Sequence, residues 1–167
     1  MRFALVFALV LLASSTSAQE HRGCDAFTWP IEVERAALTS EQKQALEEGV
    51  ALDRNSPVAI AVELLPFDDA ALRKPPERAP ENPDSFAISL DFPAAEATGR
   101  YRVSLDTAGW IDAIQSEEYL KPTASTGATE CAGIRKSVEF EIGPEPFVLQ
   151  LSDVPAQTIS VVLTPAP

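Results

Sequence analysis

The residues with the most chemical reach in this chain are few, and their spacing excludes more than it admits. The single histidine, His21, stands near the start. A Ser-His-Asp hydrolase needs a histidine packed against its orienting carboxylate. Catalytic zinc and non-haem iron sites usually draw on two or three imidazoles. One histidine in a terminal segment assembles neither. No GxSxG, P-loop, GxGxxG or EF-hand loop occurs. Adjacent acids occur at Asp68-Asp69, Glu47-Glu48 and Glu117-Glu118. A glycosidase sets two carboxyls across a cleft, whereas in a chain of net charge −12 neighbouring acids are expected on solvated loops. Carboxylate catalysis and calcium bridging at Asp68-Asp69 are therefore rival readings, and no cofactor is expected.

One narrow metal chemistry depends on processing. Arg2, an apolar run over residues 3–13 and the small residues 14–18 have the form of a signal peptide, too short to anchor in a bilayer. Cleavage after Ala18 is expected. It would put Gln19, Glu20 and His21 at the new N-terminus, where an α-amine, two amides and an imidazole can wrap square-planar Cu(II) or Ni(II). Cyclisation of Gln19 or cleavage elsewhere would remove that site. The product, residues 19–167, is expected to be one domain in the periplasm or secreted, with no further apolar stretch of membrane-spanning length. Its acidity argues against nucleic acid as a partner.

Export also decides the reading of Cys24 and Cys131, the two cysteines. In an oxidising compartment an even pair predicts a disulfide. A redox or metal-binding thiol pair is the alternative, although there is no CxxC and no histidine near Cys131.

The stretch over residues 121–136 is the most suggestive for binding. It is rich in hydroxyls, contains Cys131 and ends in two cations. A long loop held on a rigid scaffold is where binding functions tend to sit. Arg135 and Lys136 would supply charge-assisted donors, with Lys121, Ser125 and Thr126 beside them and Trp110 as a stacking face. The competing reading is a structural crossover loop with Trp110 in the core.

The elements that must position these residues read as mainly strands. Phe86, Ile88, Leu90 and Phe92 share one face; Tyr101, Val103 and Leu105 share the next. The same period of two recurs at Val138, Phe140 and Ile142, at Phe147, Leu149 and Leu151, and at Ile159, Val161 and Leu163. A short strand over residues 109–114 and a hairpin partner over 119–123 are expected, as is a buried strand over 58–65. Residues 66–83, with five prolines counting both ends, read as an extended loop wrapping the domain. Thr39 and Gln42 have the capping-box spacing that predicts a helix running to Gly49, and a weaker helical turn is expected over 32–37. The expected fold is all-β, an antiparallel sandwich or jelly-roll-like domain with one or two short N-terminal helices.

Several segments carry a resemblance: CDAFTWP at 24–30, PPERAP at 75–80, GRYRVSL at 99–105 with WID at 110–112, and LKP at 120–122 leading to CAGIRK at 131–136. Together they resemble a family of small exported proteobacterial proteins over nearly the whole of residues 19–167. Some similar sequences bear the automatic name homogentisate 1,2-dioxygenase; such an enzyme holds iron with two histidines and a glutamate, and this chain has one histidine. The resemblance implies export and the cysteine pair, and no mechanism. The function favoured is a non-catalytic periplasmic binding or interaction module for a small molecule, glycan or envelope protein. An enzyme using carboxylates or the disulfide, and a structural envelope protein, are the rivals.

Overall fold

The computed structural model describes residues 23–46 and 52–167. The signal-peptide segment 1–18, the Gln19, Glu20 and His21 motif, the Glu47-Glu48 pair and Gly49 lie outside the described residues. In chain order the strands are β1 (Gln44–Ala45), β2 (Ile60–Glu63), β3 (Leu65–Pro66), β4 (Phe86–Phe92), β5 (Gly99–Leu105), β6 (Trp110–Gln115), β7 (Glu118–Tyr119), β8 (Ala124–Gly127), β9 (Lys136–Ile142), β10 (Phe147–Val154) and β11 (Thr158–Pro165). They form a six-stranded sheet, β1-β2-β11-β5-β9-β8, and a five-stranded sheet, β3-β4-β10-β6-β7. Every pairing is antiparallel except β1 with β2. The protein is an all-β sandwich.

Alternation explains the core. Leu90, Phe92, Val103, Leu105, Ile111, Val138, Phe140, Leu149, Leu151 and Val161 point between the sheets and are almost fully buried. Phe92 stacks on Phe147 with centroids 4.7 Å apart. Arg54 closes one end of this core at 2 % exposure. Its guanidinium donates to the carbonyls of Gly143 (2.9 Å), Glu145 (3.0 Å) and Pro93, and lies over the Phe147 ring.

The outer face of the six-stranded sheet is covered by the N-terminal segment. Helix α1 (Glu32–Thr39) lays Leu38 and Glu34 against it, and Ile31, Trp29, Phe27, Ala128, Ile134 and Val162 complete a second apolar cluster. The Cys24–Cys131 disulfide forms as expected and closes a separation of 107 residues within this layer. Gly133 beside it has φ +85°, and a Cβ there would stand 2.2 Å from Thr39 Cγ2, so both conformation and space demand glycine.

Four local expectations are corrected. The helix ends where the capping box would begin it. Thr39 Oγ1 donates back to Arg35 O at 2.8 Å, Ser40 Oγ accepts from the Gln42 amide at 3.0 Å, and the chain then becomes β1. The helix forms upstream because Glu32 and Glu34 suit its N-terminal dipole and because Leu38 has a sheet face to bury against. The strand expected over 58–65 breaks at the fully buried Leu64: β2 joins one sheet and β3 the other. The hairpin partner expected over 119–123 is only two residues long, and residues 121–136 are not loop throughout, since β8 pairs with β9.

Residues 70–83 form a strap across the outer face of the five-stranded sheet. Its prolines lack N–H groups, and five of its other amides are matched by side chains beneath. The amide of Arg73 donates to Ser89 Oγ, that of Lys74 to Gln150 Oε1, that of Glu77 to Asp112 Oδ2, and those of Glu81 and Asn82 to Asp153 Oδ1. Gln150, fully buried, also returns a bond from Nε2 to Lys74 O at 2.9 Å. The sheet thus reads the strap's backbone as another strand would, but through side chains.

Candidate functional site

The strap, the β8 edge and the turn before β6 converge at one margin of the sandwich. Between them lies a cleft of about 490 Å³, lined by Arg78 and Glu81 from the strap, Gly109 from the turn, Ser125, Thr126 and Gly127 from β8, Arg135 and Lys136 at the start of β9, and Asp153 near the end of β10.

Each cation is held differently. Lys136 belongs to the inward-facing series with Val138 and Phe140, so at the start of β9 its side chain emerges at the mouth between the sheets. Nζ donates to Gly109 O at 3.2 Å and stands 5.1 Å from the Trp110 ring centroid. Burial, together with the like charges of Arg78 and Arg135, pushes its ammonium below the ordinary lysine value; Asp112 opposes this. Arg78 lies over the same indole at 4.7 Å and pairs with Asp153 Oδ2 at 2.9 Å and Glu81 Oε1 at 3.4 Å. Arg135 lies against Gly127: a Cβ on that glycine would meet Arg135 O at 2.8 Å and stand 3.7 Å from its Nη1. Trp110 therefore carries cations and is not an open stacking face. Its Nε1 donates to Asp112 Oδ1 at 2.7 Å.

Sequence reasoning named Trp110, Lys121, Ser125, Thr126, Arg135 and Lys136. Ser125, Thr126, Arg135 and Lys136 line the cleft, and Trp110 supports it. Thr126 Oγ1 already accepts from the Thr28 amide at 3.0 Å. Lys121 lies elsewhere, paired with Glu77 Oε1 at 2.5 Å. Arg78, Glu81, Gly109 and Asp153 were missed. Arg78 stood in view between prolines in the wrapping loop, but nothing in its spacing tells that the loop returns to the β8 edge.

Among the described residues the acid pairs do not build a second centre. Asp68 and Asp69 sit in an exposed 3-10 turn, and Glu117 and Glu118 in the β6–β7 hairpin. Asp112 does lie close to Glu77 beneath the strap, and burial raises its carboxyl above the usual range while the Trp110 and Glu77 N–H groups pull it down. Among the described residues no group of three or more His, Cys, Asp or Glu side chains could hold a metal ion. Both cysteines are spent in the disulfide, a bond that persists in oxidising compartments. No described helix is long and apolar enough to cross a membrane.

The cleft lining holds three cations, Arg78, Arg135 and Lys136, and the Ser125 hydroxyl against two carboxylates, Glu81 and Asp153, both paired with Arg78, so a positive excess remains at Arg135 and Lys136. No protein-family model matches the chain, and no curated protein or solved structure is similar to it.

Proposed function

We propose that this protein is an exported, periplasmic binding module that holds a small anionic ligand, a carboxylate or a phosphate or sulfate ester, in the cleft between the strap and β8. The observation that carries this reading is the convergence of Arg78, Arg135 and Lys136 in one concavity of a chain whose net charge is −12. Clustering like charges on a partly buried lysine costs free energy in the empty cleft, and an anion turns that cost into attraction. The signal-peptide pattern and the disulfide support the compartment.

The test is titration of the purified protein with inorganic phosphate and with glucuronate, followed by calorimetry and amide chemical shifts. The reading expects saturable binding that moves the Gly109, Gly127 and Lys136 amides. It also expects Arg135→Ala to weaken binding while thermal stability stays close to that of the parent. Unfolding of Arg135→Ala with no binding by the parent would instead favour a structural envelope protein.

A further inference from the structure

The cleft adjoins a sheet edge that is built to accept another strand. Among the described residues, three of the four edge strands are blunted. β3 contains Pro66; β7 is two residues long and lies under the strap, with Tyr119 Oη bonded to Pro75 O; β1 is two residues long and runs parallel to its neighbour. Prolines, covering segments and very short strands are the usual means of closing an edge. β8 has four residues, none of them proline or charged, and Ala124, Ser125 and Gly127 are exposed.

The register fixes which groups face outward. Ala124 pairs with Glu139, Ser125 with Val138, Thr126 with Ser137 and Gly127 with Lys136. The Ala128 amide donates to Arg135 O at 3.1 Å and the Thr123 amide to Glu139 O at 2.8 Å. Hydrogen-bonded and non-hydrogen-bonded pairs alternate in an antiparallel ladder. The peptide groups of Ser125 and Gly127 consequently point away from β9, toward open solvent. These two residues also line the cationic cleft. A residue placed opposite either of them on an added strand would project its side chain to the same face, toward Arg135 and Lys136.

We propose that β8 receives an extended acidic peptide as an added β-strand, with Asp or Glu at every second position directed into the cleft. This deepens the anion-binding reading and rests on it. Backbone bonds to Ser125 and Gly127 supply pairing, and the cations of the cleft select the sequence, the division of labour usual in strand addition. A protein this acidic repels acidic peptides elsewhere on its surface, which confines such a partner to this edge.

The experiment uses the whole exported protein and two probes: inorganic phosphate, and the peptide acetyl-Thr-Glu-Val-Glu-Thr-amide with two analogues N-methylated on alternate residues. The expected result is peptide binding that slows hydrogen exchange at the Ser125 and Gly127 amides. One methylated analogue should lose roughly tenfold or more in affinity while the other retains it, because only alternate amides face the edge. Ser125→Pro, which removes one of the two amides facing the edge, should weaken the peptide by a larger factor than it weakens phosphate. Equal binding of all three peptides, or unaltered exchange at Ser125 and Gly127, overturns strand addition. Phosphate binding without peptide binding overturns it too and leaves the anion site standing. If neither probe binds, both readings fail.

Discussion

Asp153 holds Arg78 in place from two directions. Its Oδ2 pairs with the guanidinium at 2.9 Å, while its Oδ1 accepts the amides of Glu81 and Asn82 three and four residues further along the strap. One carboxylate thus fixes both the side chain that lines the cleft and the backbone that carries it. Asp153 does this from φ +52°, a left-handed conformation that aspartate tolerates better than most residues.

Two substitutions separate these duties. Asp153→Asn keeps an oxygen for the two amides and loses the ion pair. We expect the strap to stay in place and anion affinity to change by only a few-fold, since the Arg78 side chain is nearly half exposed and such pairs contribute about 1 kcal/mol or less. Asp153→Ala removes every acceptor and leaves a β-carbon in the left-handed region. Limited proteolysis should then cut within residues 77–83 at protease levels that spare the parent. Equal resistance of the two variants would show that the strap is held without Asp153, by its contacts to Ser89, Gln150, Asp112 and Tyr119.

The disulfide gives the second prediction. Unreduced protein should show no thiol that can be alkylated, and two after reduction in denaturant. The bond joins the N-terminal layer to the segment that leads into Arg135 and Lys136. Replacing both cysteines with alanine should therefore lower Tm, by a stability loss of up to about 4–5 kcal/mol in the chain-entropy limit. It should also increase hydrogen exchange at Ala128 and Ile134. Unchanged Tm would mean that the apolar cluster of Ile31, Leu38 and Val162 holds this layer without the bond.

How much of this was legible in the sequence follows from which forces are local. A period of two in the large apolar residues at Phe86–Phe92, Lys136–Ile142 and Thr158–Pro165 reports a face buried in a core, so those strands were readable. β8 was not: Ala-Ser-Thr-Gly has no apolar face, and it is a strand only because β9 offers an edge. The capping-box reading at Thr39 failed because side-chain hydroxyls serve helix starts, helix ends and turns alike, and tertiary burial of Leu38 decided among them. Arg135 and Lys136 were found as adjacent cations. Arg78 and Asp153 reach the cleft only through the path of the strap, which no local pattern encodes.

Arg54 tests the closed end of the core. Among the described residues no carboxylate pairs with it; three carbonyls and the Phe147 ring take its charge, and its Nε has no partner there. Arg54→Ala takes the side-chain donor from the Pro93 carbonyl, leaves Gln115 Nε2 as the side-chain donor to the Gly143 and Glu145 carbonyls, and opens a cavity, and should destabilise the fold by about 3 kcal/mol or more. Arg54→Lys should recover little, because one ammonium on a flexible stem cannot reproduce a planar fork. Urea unfolding of the variants measures both effects. A shift below about 1 kcal/mol for Arg54→Ala would mean that the turn at Gly143 relaxes to solvate its own carbonyls.

Lys136 sets stability against binding. Its folded-state pKa is lowered, first by burial and then by Arg78 and Arg135. A base with a depressed pKa binds its proton more weakly in the fold than in the unfolded chain. The associated stability is present above the unfolded value, near 10.5, and is lost as pH falls through the folded value. At neutral pH the ammonium therefore burdens the empty domain. Lys136→Met keeps the length and the contact with Trp110 while removing the charge, so it should leave the neutral-pH stability equal to or above that of the parent. The parent should then gain on the variant as pH rises through the window just below 10.5, where the folded-state lysine deprotonates first. Phosphate affinity should move the other way, falling by roughly tenfold with the loss of a charge-assisted donor. Urea unfolding across pH, paired with phosphate titration at neutral pH, reads both sides. A variant that binds phosphate as well as the parent would remove Lys136 from the site, whatever its stability.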